Sequence, residues 1–148
     1  MKVNLGSGNR YLEDFCNCDV SLSCKTDLRF DFEKFPWPID DSAVEYILAG
    51  HSLEHAHQDM FPDLVREMYR ISKNNAEWLI HVPHGSSDMF LKDPTHRMRF
   101  HRDTFLYWVD GSYCRDLGMI YGWGDVRLQQ KSAILNGEVL TYELIVVK

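Results

Sequence analysis

Residues 3–10 of the chain read Val-Asn-Leu-Gly-Ser-Gly-Asn-Arg. A short apolar segment that runs straight into a G-x-G turn is typical of a buried strand followed by a tight glycine turn. Because glycine has no Cβ, a ligand can approach the main chain closely at such a turn. The stretch therefore predicts a first strand whose carboxyl end holds a nucleotide-like ligand.

A second short apolar segment, residues 15–20, ends in Cys-Asp-Val and brings Asp19 eleven residues after Gly8. A carboxylate at the tip of a second strand can accept hydrogen bonds from both hydroxyls of a ribose. The dinucleotide fingerprint requires G-x-G-x-x-G with its acid about 20 residues further on. Here Tyr11 stands in the place of the third glycine and the acid comes early. The pattern therefore disfavours NAD.

Two further strands are predicted at residues 25–32 and 44–49, and each is followed by polar residues. Asp31 lies near the end of the first, and His51 follows the second in the segment Gly-His-Ser-Leu-Glu-His. The prolines of Phe35-Pro36-Trp37-Pro38 predict a loop between these strands. Since a doubly wound sheet binds ligands at the carboxyl ends of its strands, we expect both polar segments to face one site.

In order and spacing these stretches resemble the class I S-adenosylmethionine-dependent methyltransferases, in particular small members of the type 11-like group. The resemblance rests on residues 4–12, 17–21, 31–42 and 49–55, and on a D-P-x-H-x-x-x-F pattern at residues 93–100. It implies one α/β domain over residues 1–148, with a Rossmann-like, doubly wound mixed sheet of about seven strands. The chain's own Asn136-Gly137 turn predicts an antiparallel last strand. As a departure from the family, the N-terminal helices are expected to be shortened.

The resemblance also implies S-adenosylmethionine as the cofactor. In the family, the acid at the place of Asp31 binds the adenine amino group, and the N–H of the next residue, Phe32, reaches a ring nitrogen. The predicted cofactor residues are Gly6, Ser7, Gly8, Asn9, Asp19, Val20, Asp31, Phe32, Ala49 and His51.

Two histidines, His51 and His84, are the candidate catalytic residues. An ordinary histidine pKa near 6.5 allows His51 to act as a base at neutral pH. Its ring could equally pack beside the methionine part of the cofactor, because direct methyl displacement often needs only positioning. His84 and His96 follow the predicted strand 77–83 and either contact the acceptor or hold their loop by hydrogen bonds.

The segment after the fourth predicted strand also contains candidate metal ligands. His51, His55, His57 and Glu54 lie within seven residues, and in a helix His51 and His55 would share a face. Two histidines and one carboxylate are a set known for iron and zinc. The segment lacks the H-E-x-x-H order, and the family has a similar segment without metal, so no metal is expected. The four cysteines lack C-x-x-C spacing and are expected to be free thiols.

Composition limits the partners. A net charge of −6, from 16 basic and 22 acidic residues, disfavours nucleic acid. The basic stretch 96–102 is either a solvated loop or an anion site. The sequence has no run of 18 apolar residues and no signal peptide, so we expect a cytoplasmic protein without membrane contact.

The rest of the chain is predicted as a helix at 59–72, a short helix at 104–110 and two final strands at 117–128 and 139–147, joined by an Asn136-Gly137 turn.

Too few residues separate Gly8 from the second strand for a crossover helix. A sheet face is therefore expected to be exposed, or covered by a homodimer or a partner protein.

The leading functional prediction is methyl transfer from S-adenosylmethionine to an unidentified acceptor, either a small molecule or a sugar hydroxyl. The N/D-P-P-Y/F tetrapeptide of enzymes that methylate amino groups of DNA bases is missing after the fourth strand. Two alternatives stay open. One is a protein that binds S-adenosylmethionine or S-adenosylhomocysteine without turnover, as a sensor or a subunit of a complex. The other is a metal-dependent hydrolase that uses the histidine cluster.

Overall fold

Seven strands form one mixed sheet in the computed structural model, which describes residues 1–148. The strands lie in the order β3-β2-β1-β4-β5-β7-β6. Strands β3, β2, β1, β4 and β5 are parallel to one another, and β7 is antiparallel to both β5 and β6. This arrangement confirms the predicted fold class. In chain order the strands are β1 (Lys2–Leu5), β2 (Cys16–Asp19), β3 (Leu28–Arg29), β4 (Val44–Gly50), β5 (Ser72–Pro83), β6 (Leu128–Asn136) and β7 (Val139–Val146).

The helices all follow β4 in the chain. The longest, α1 (Phe61–Ile71), joins β4 to β5, and the connection from β5 to β6 contains α2 (Asp88–Leu91) and α3 (Arg115–Ile120). Short 3-10 helices lie at Leu53–His55, Gln58–Met60 and Thr104–Trp108. The connections β1–β2, β2–β3 and β3–β4 contain no helix, which confirms the predicted shortening of the N-terminal helices.

The helices cover one face of the sheet. Ile80 of β5 pairs with Tyr142 of β7, and both are fully buried beneath α1 and the segment around Phe105. From β1 to β2 the chain moves across the sheet in one direction, and from β4 to β5 it moves in the other. Because such crossovers are right-handed, a helix in the β1–β2 connection would lie on the face opposite to α1. The β1–β2 connection has no helix, so the opposite face, hereafter the open face, remains partly exposed. Its side chains include Tyr46, Glu77, Leu79, His81, Glu143 and Ile145.

An aromatic cluster fixes the long connection after β5 onto the sheet. The Phe61 ring lies 5.3 Å from that of Phe100, and the Phe105 ring lies 4.9 Å from that of Tyr142. The Tyr142 hydroxyl donates to the main-chain carbonyl of His101 at 2.5 Å. The loop between β5 and this cluster is thereby held at the carboxyl edge of the sheet, where the candidate site lies.

Several predicted boundaries are wrong. Residues 117–128 are not a strand, because α3 and a turn occupy that segment and β6 begins only at Leu128. Leu117, Met119 and Ile120 are exposed, so their apolar spacing does not report a buried strand. The final turn consists of Gly137 and Glu138, with Gly137 at φ +60°, while Asn136 pairs with Val139.

Other elements differ in length from the prediction. The third strand covers only Leu28–Arg29 of the predicted 25–32, whereas β5 begins at Ser72, five residues early. The short helix predicted at 104–110 is a 3-10 helix that ends at Trp108. None of the helices has the length and the apolar character that crossing a membrane requires.

Candidate functional site

The carboxyl ends of β1 and β4 meet where the strand order reverses, which is the usual ligand position in an open α/β sheet. Gly6 directly follows β1 and has φ +66°, and a Cβ at this position would lie 2.3 Å from the Cβ of Ser52. The Ser52 hydroxyl donates to the Leu5 carbonyl at 2.9 Å. Glycine is thus required here by close packing between two chain segments as well as by its backbone conformation.

Asp19 orders the glycine turn. Its Oδ2 accepts the N–H of Gly8 at 2.8 Å, and its Oδ1 accepts the N–H of Ser21 at 2.8 Å. Gly8 itself has φ +50°. Since each carboxylate oxygen has two lone pairs, Asp19 keeps the capacity to accept two further hydrogen bonds. The carboxylate predicted for a ribose therefore also supports the loop that would face the ligand.

A small cavity of about 40 Å³ lies between the ends of β1 and β2 and the segment after β3. It has room for about one water molecule, far less than the 300 Å³ or more of a typical small-molecule pocket. A nucleoside could therefore lie only across its mouth. Four predicted cofactor residues line it, namely Gly6, Asp19, Val20 and Phe32, together with Leu5, Cys18 and Phe30.

The other predicted cofactor residues lie outside this cavity. Asp31 caps its own turn, where its Oδ1 accepts the N–H of Glu33 at 3.0 Å. Ser7 is buried with no partner for its hydroxyl, and Asn9 is exposed. Ala49 is fully buried in the core, so its side chain is not accessible to a ligand.

His51 lies at the carboxyl end of β4 in an unusual backbone conformation. Its φ of +55° is in the left-handed region, which is uncommon for a non-glycine residue and frequent at functional sites. Its N–H donates to the His81 carbonyl at 2.8 Å. The half-exposed ring has its Nδ1 3.5 Å from Oε1 of Glu54, and this carboxylate raises the pKa of His51 above 6.5.

His84 follows β5 and is engaged in its own loop. Its Nδ1 lies 2.9 Å from the Ser86 hydroxyl, and its ring lies 5.8 Å from that of His101. It makes no hydrogen bond to His51 or to the cavity residues. These contacts favour the interpretation of His84 as a loop-holding residue, and acceptor contact remains a prediction.

Glu54, His55 and His96 form a cluster that the sequence pattern did not predict, because His96 is distant in the chain. The Glu54 side chain is only 1% exposed, and its Oε1 lies 3.9 Å from Nε2 of His96. The His55 and His96 rings lie 5.0 Å apart. His57 instead turns to Glu33, with Nδ1 3.0 Å from Oε1. The available signal was that the Leu-Glu-His and Asp-Pro-Thr-His segments follow neighbouring parallel strands.

A larger cleft of about 730 Å³ opens beside the start of α1. Residues from four separate stretches form it, which is why no single motif indicated it. Aromatic side chains dominate its walls, and the Trp108 and Trp123 rings stack at 5.1 Å. The lining residues are Gln58, Asp59, Phe61, Pro62, Met98, Thr104, Tyr107, Trp108, Tyr121 and Trp123.

No known family model matches the sequence, and no curated protein matches it. The structure is similar to that of an S-adenosylmethionine-dependent methyltransferase from Archaeoglobus fulgidus, with a TM-score of 0.65 and 15% identity over 99% of this chain and 85% of that chain. A putative type 11 methyltransferase from Sulfolobus solfataricus is similar with a TM-score of 0.62. The two sequences are 16% identical over 99% of this chain and 83% of that chain.

A third similar structure contains a putative methyltransferase of Haloferax volcanii in complex with the Trm112 methyltransferase activator. Its TM-score is 0.62, with 14% identity over 99% of this chain and 82% of that chain. At these identities the likeness shows the fold. Nearly the whole chain therefore has the fold of S-adenosylmethionine-dependent methyltransferases.

Proposed function

We propose that this chain, which has the fold of the class I S-adenosylmethionine-dependent methyltransferases, binds S-adenosylmethionine and transfers its methyl group to a hydroxyl of a small molecule or sugar. The observation that carries the proposal is the contact between Asp19 and Gly8, at 2.8 Å, on the rim of the cavity between β1 and β2. A carboxylate with free lone pairs beside an accessible G-x-G main chain suits a nucleoside.

Each cofactor residue has a role in this proposal. Asp19 accepts the ribose hydroxyls, and Gly6 and Gly8 let the ligand approach the backbone. Val20 and Phe32 supply apolar contact for the adenine, while Asp31 and the Phe32 N–H bind its edge. Ser7, Asn9 and His51 complete the frame around the methionine part, and the buried Ala49 makes no side-chain contact with it. Because the cavity of about 40 Å³ leaves the adenosine largely outside, we expect micromolar affinity, about −8 kcal/mol.

The aromatic cleft supports the acceptor part of the proposal. Its volume of about 730 Å³ lies within the range of small-molecule pockets, and Gln58, Asp59 and Thr104 offer hydrogen bonds to hydroxyl groups. In the transfer, the methyl carbon leaves sulfur and bonds to the acceptor oxygen, sulfur keeps the electron pair, and the hydroxyl proton passes to a base or to water. His51 and His84 are proposed to position the reacting groups.

A second candidate function is cofactor binding as a subunit of a complex. The observation that favours it is the open face of the sheet, where Tyr46, Leu79 and Ile145 remain only partly covered. The Haloferax volcanii neighbour occurs with an activator protein. A partner protein or a second copy of this chain would bury the open face in the same manner as the missing helices.

The test is calorimetric titration with S-adenosylmethionine and with S-adenosylhomocysteine. We expect micromolar binding of both, at least tenfold weaker binding to Asp19→Ala, and unchanged binding to Asp116→Ala, which alters an exposed acid on α3. Absence of binding by the unaltered chain would overturn the cofactor assignment. Labelled methyl transfer to a panel of sugars and small hydroxyl compounds then separates an enzyme from a binding subunit.

A further inference from the structure

The starting observation is a buried carboxylate without a complete set of partners. Glu54 is 1% exposed, and its Oε2 makes no hydrogen bond. Burial of an ionised carboxylate is unfavourable unless the charge is paired or binds a metal. The nearest cationic candidates, His51 and His96, approach only Oε1, at 3.5 and 3.9 Å. Both distances exceed those of a normal hydrogen bond.

The surroundings of His96 fix which ring nitrogen carries the proton. Its Nδ1 lies 3.0 Å from the Phe90 carbonyl, and a carbonyl can only accept. The Nδ1–H therefore donates to it, and Nε2 of the neutral ring has a lone pair. This lone pair faces the acids of the cluster, since Nε2 lies 3.9 Å from Glu54 and 3.5 Å from Oδ2 of Asp93. Nε2 of His96 is thus oriented as a metal ligand, because the groups that face it are carboxylates and donate no hydrogen bond to it.

The same reasoning applies to His55. The Thr95 hydroxyl lies 2.6 Å from Oδ1 of Asp93 and must donate to this carboxylate. It can then only accept from Nδ1 of His55, which lies 3.1 Å away. The lone pair of His55 is consequently on Nε2. A histidine held through its second nitrogen by an acceptor is the usual arrangement around a bound transition metal.

We propose that Glu54, His55 and His96 form a site for a divalent transition metal, and Zn²⁺ is the ion with which the proposal is argued and tested. Their ligand atoms lie within 4.8 Å of one another. Tetrahedral zinc with bonds of 2.0–2.1 Å separates its ligands by about 3.4 Å, so small side-chain rotations complete the set. Two imidazoles and one carboxylate suit zinc and leave a coordination position for water or a substrate oxygen.

The site connects two segments that both follow the carboxyl edge of the sheet. The Glu54 carbonyl already accepts the N–H groups of Arg97 and Met98, at 2.8 and 3.0 Å, so the loop after β5 is fixed beside the segment after β4. Gln58 and Met98, which lie close in sequence to the ligands, line the aromatic cleft. The metal would therefore stabilise the wall of this cleft. The proposal is independent of S-adenosylmethionine binding.

The experiment uses protein purified without a histidine tag, stripped with EDTA and titrated calorimetrically with ZnCl₂ in the absence of S-adenosylmethionine. We expect one Zn²⁺ per chain and a raised unfolding temperature. The variants Glu54→Gln and His55→Gln should each bind Zn²⁺ at least tenfold more weakly, and Asp93→Asn about tenfold more weakly. The control His101→Gln alters a histidine that is 63% exposed and should bind as the unaltered chain does.

Cobalt provides a second measurement that does not depend on activity. CoCl₂ should give visible absorption bands of a tetrahedral site that disappear in Glu54→Gln, while circular dichroism verifies that each variant is folded. Absence of saturable Zn²⁺ and Co²⁺ binding would overturn the proposal, as would equal binding by Glu54→Gln and His101→Gln. The cluster would then only hold the loop after β5 beside the segment after β4.

Discussion

Gly6 and Ser52 pack so closely that a Cβ at Gly6 would lie 2.3 Å from the Cβ of Ser52. Gly8 has nothing within 4 Å of its Cβ position, although its φ of +50° is also positive. The two glycines of one turn therefore serve different purposes. Gly6 permits β1 and the segment after β4 to approach each other, whereas Gly8 serves the backbone conformation.

The first prediction compares these two glycines. Gly6→Ala should lower the free energy of unfolding by about 3 kcal/mol, because a positive φ and overpacking act together. Gly8→Ala should cost about 1 kcal/mol, from the backbone alone. Urea denaturation followed by tryptophan fluorescence measures both. Equal losses in the two variants would contradict the assignment of a packing role to Gly6.

The second prediction concerns Glu67, a buried acid of α1. Its carboxylate accepts the main-chain N–H of Trp37 at 2.6 Å and the Nη2 of Arg70 at 2.6 Å. Glu67→Ala should lower the free energy of unfolding by about 3 kcal/mol, because the N–H and the guanidinium lose their acceptor. Asp63→Ala is the control, since its side chain is 54% exposed and its ion pair with Arg66 should contribute less than about 1 kcal/mol.

The third prediction tests the aromatic cleft as the acceptor site. Any compound that accepts the methyl group should change the fluorescence of the stacked Trp108 and Trp123 in a saturable manner. Tyr121, whose ring lies 5.0 Å from Trp123, lines the cleft. Tyr121→Ala should weaken acceptor binding at least tenfold and leave the calorimetric affinity for S-adenosylmethionine unchanged.

Tyr113→Ala is the matched control for the cleft. Tyr113 is 76% exposed and does not line the aromatic cleft. Its hydroxyl donates a hydrogen bond to Oδ2 of Asp103. The assignment of the acceptor to the cleft would be wrong if both tyrosine variants bound the acceptor as the unaltered chain does.

Much of the fold was predictable because it depends on local patterns. The G-x-G turn after β1 and Asp19 at the end of β2 identify two parallel strand ends directly. The continuous apolar run Trp78-Leu79-Ile80 marks a central strand. The failure at residues 117–128 has a physical cause. Leu117 and Met119 are apolar but exposed on a short helix, so their pattern reports no buried surface.

The candidate site was predictable only in part. Gly6, Asp19, Val20 and Phe32 share one cavity because each follows or ends a neighbouring parallel strand. Glu54 and His96 are 42 residues apart in the chain and meet only through the loop after β5. Local spacing instead grouped Glu54 with His57, whose actual partner is Glu33. Contacts between distant loops depend on tertiary packing, which a one-dimensional pattern does not contain.

The fourth prediction concerns His81, on the open face of the sheet. Partial burial lowers the pKa of His81 below 6.5, and the positive charges of His51 and Arg10 lower it further. Unfolded His81 has its ordinary pKa near 6.5, so on acidification the unfolded state binds a proton before the folded state does. This contribution to stability is complete above pH of about 6.5 and is lost as the pH falls below that value.

His81→Gln should therefore reduce the loss of stability on acidification. Glutamine does not titrate, and its amide can preserve a hydrogen bond to Thr141, which lies 2.9 Å from Nδ1 of His81. Urea unfolding midpoints measured between about pH 7.5 and pH 5.5 should fall less steeply in His81→Gln than in the unaltered chain. The control Gln129→Ala changes an exposed side chain that does not titrate, and it should keep the original steepness. A slope in His81→Gln as steep as that of the unaltered chain would show that the pH dependence arises elsewhere.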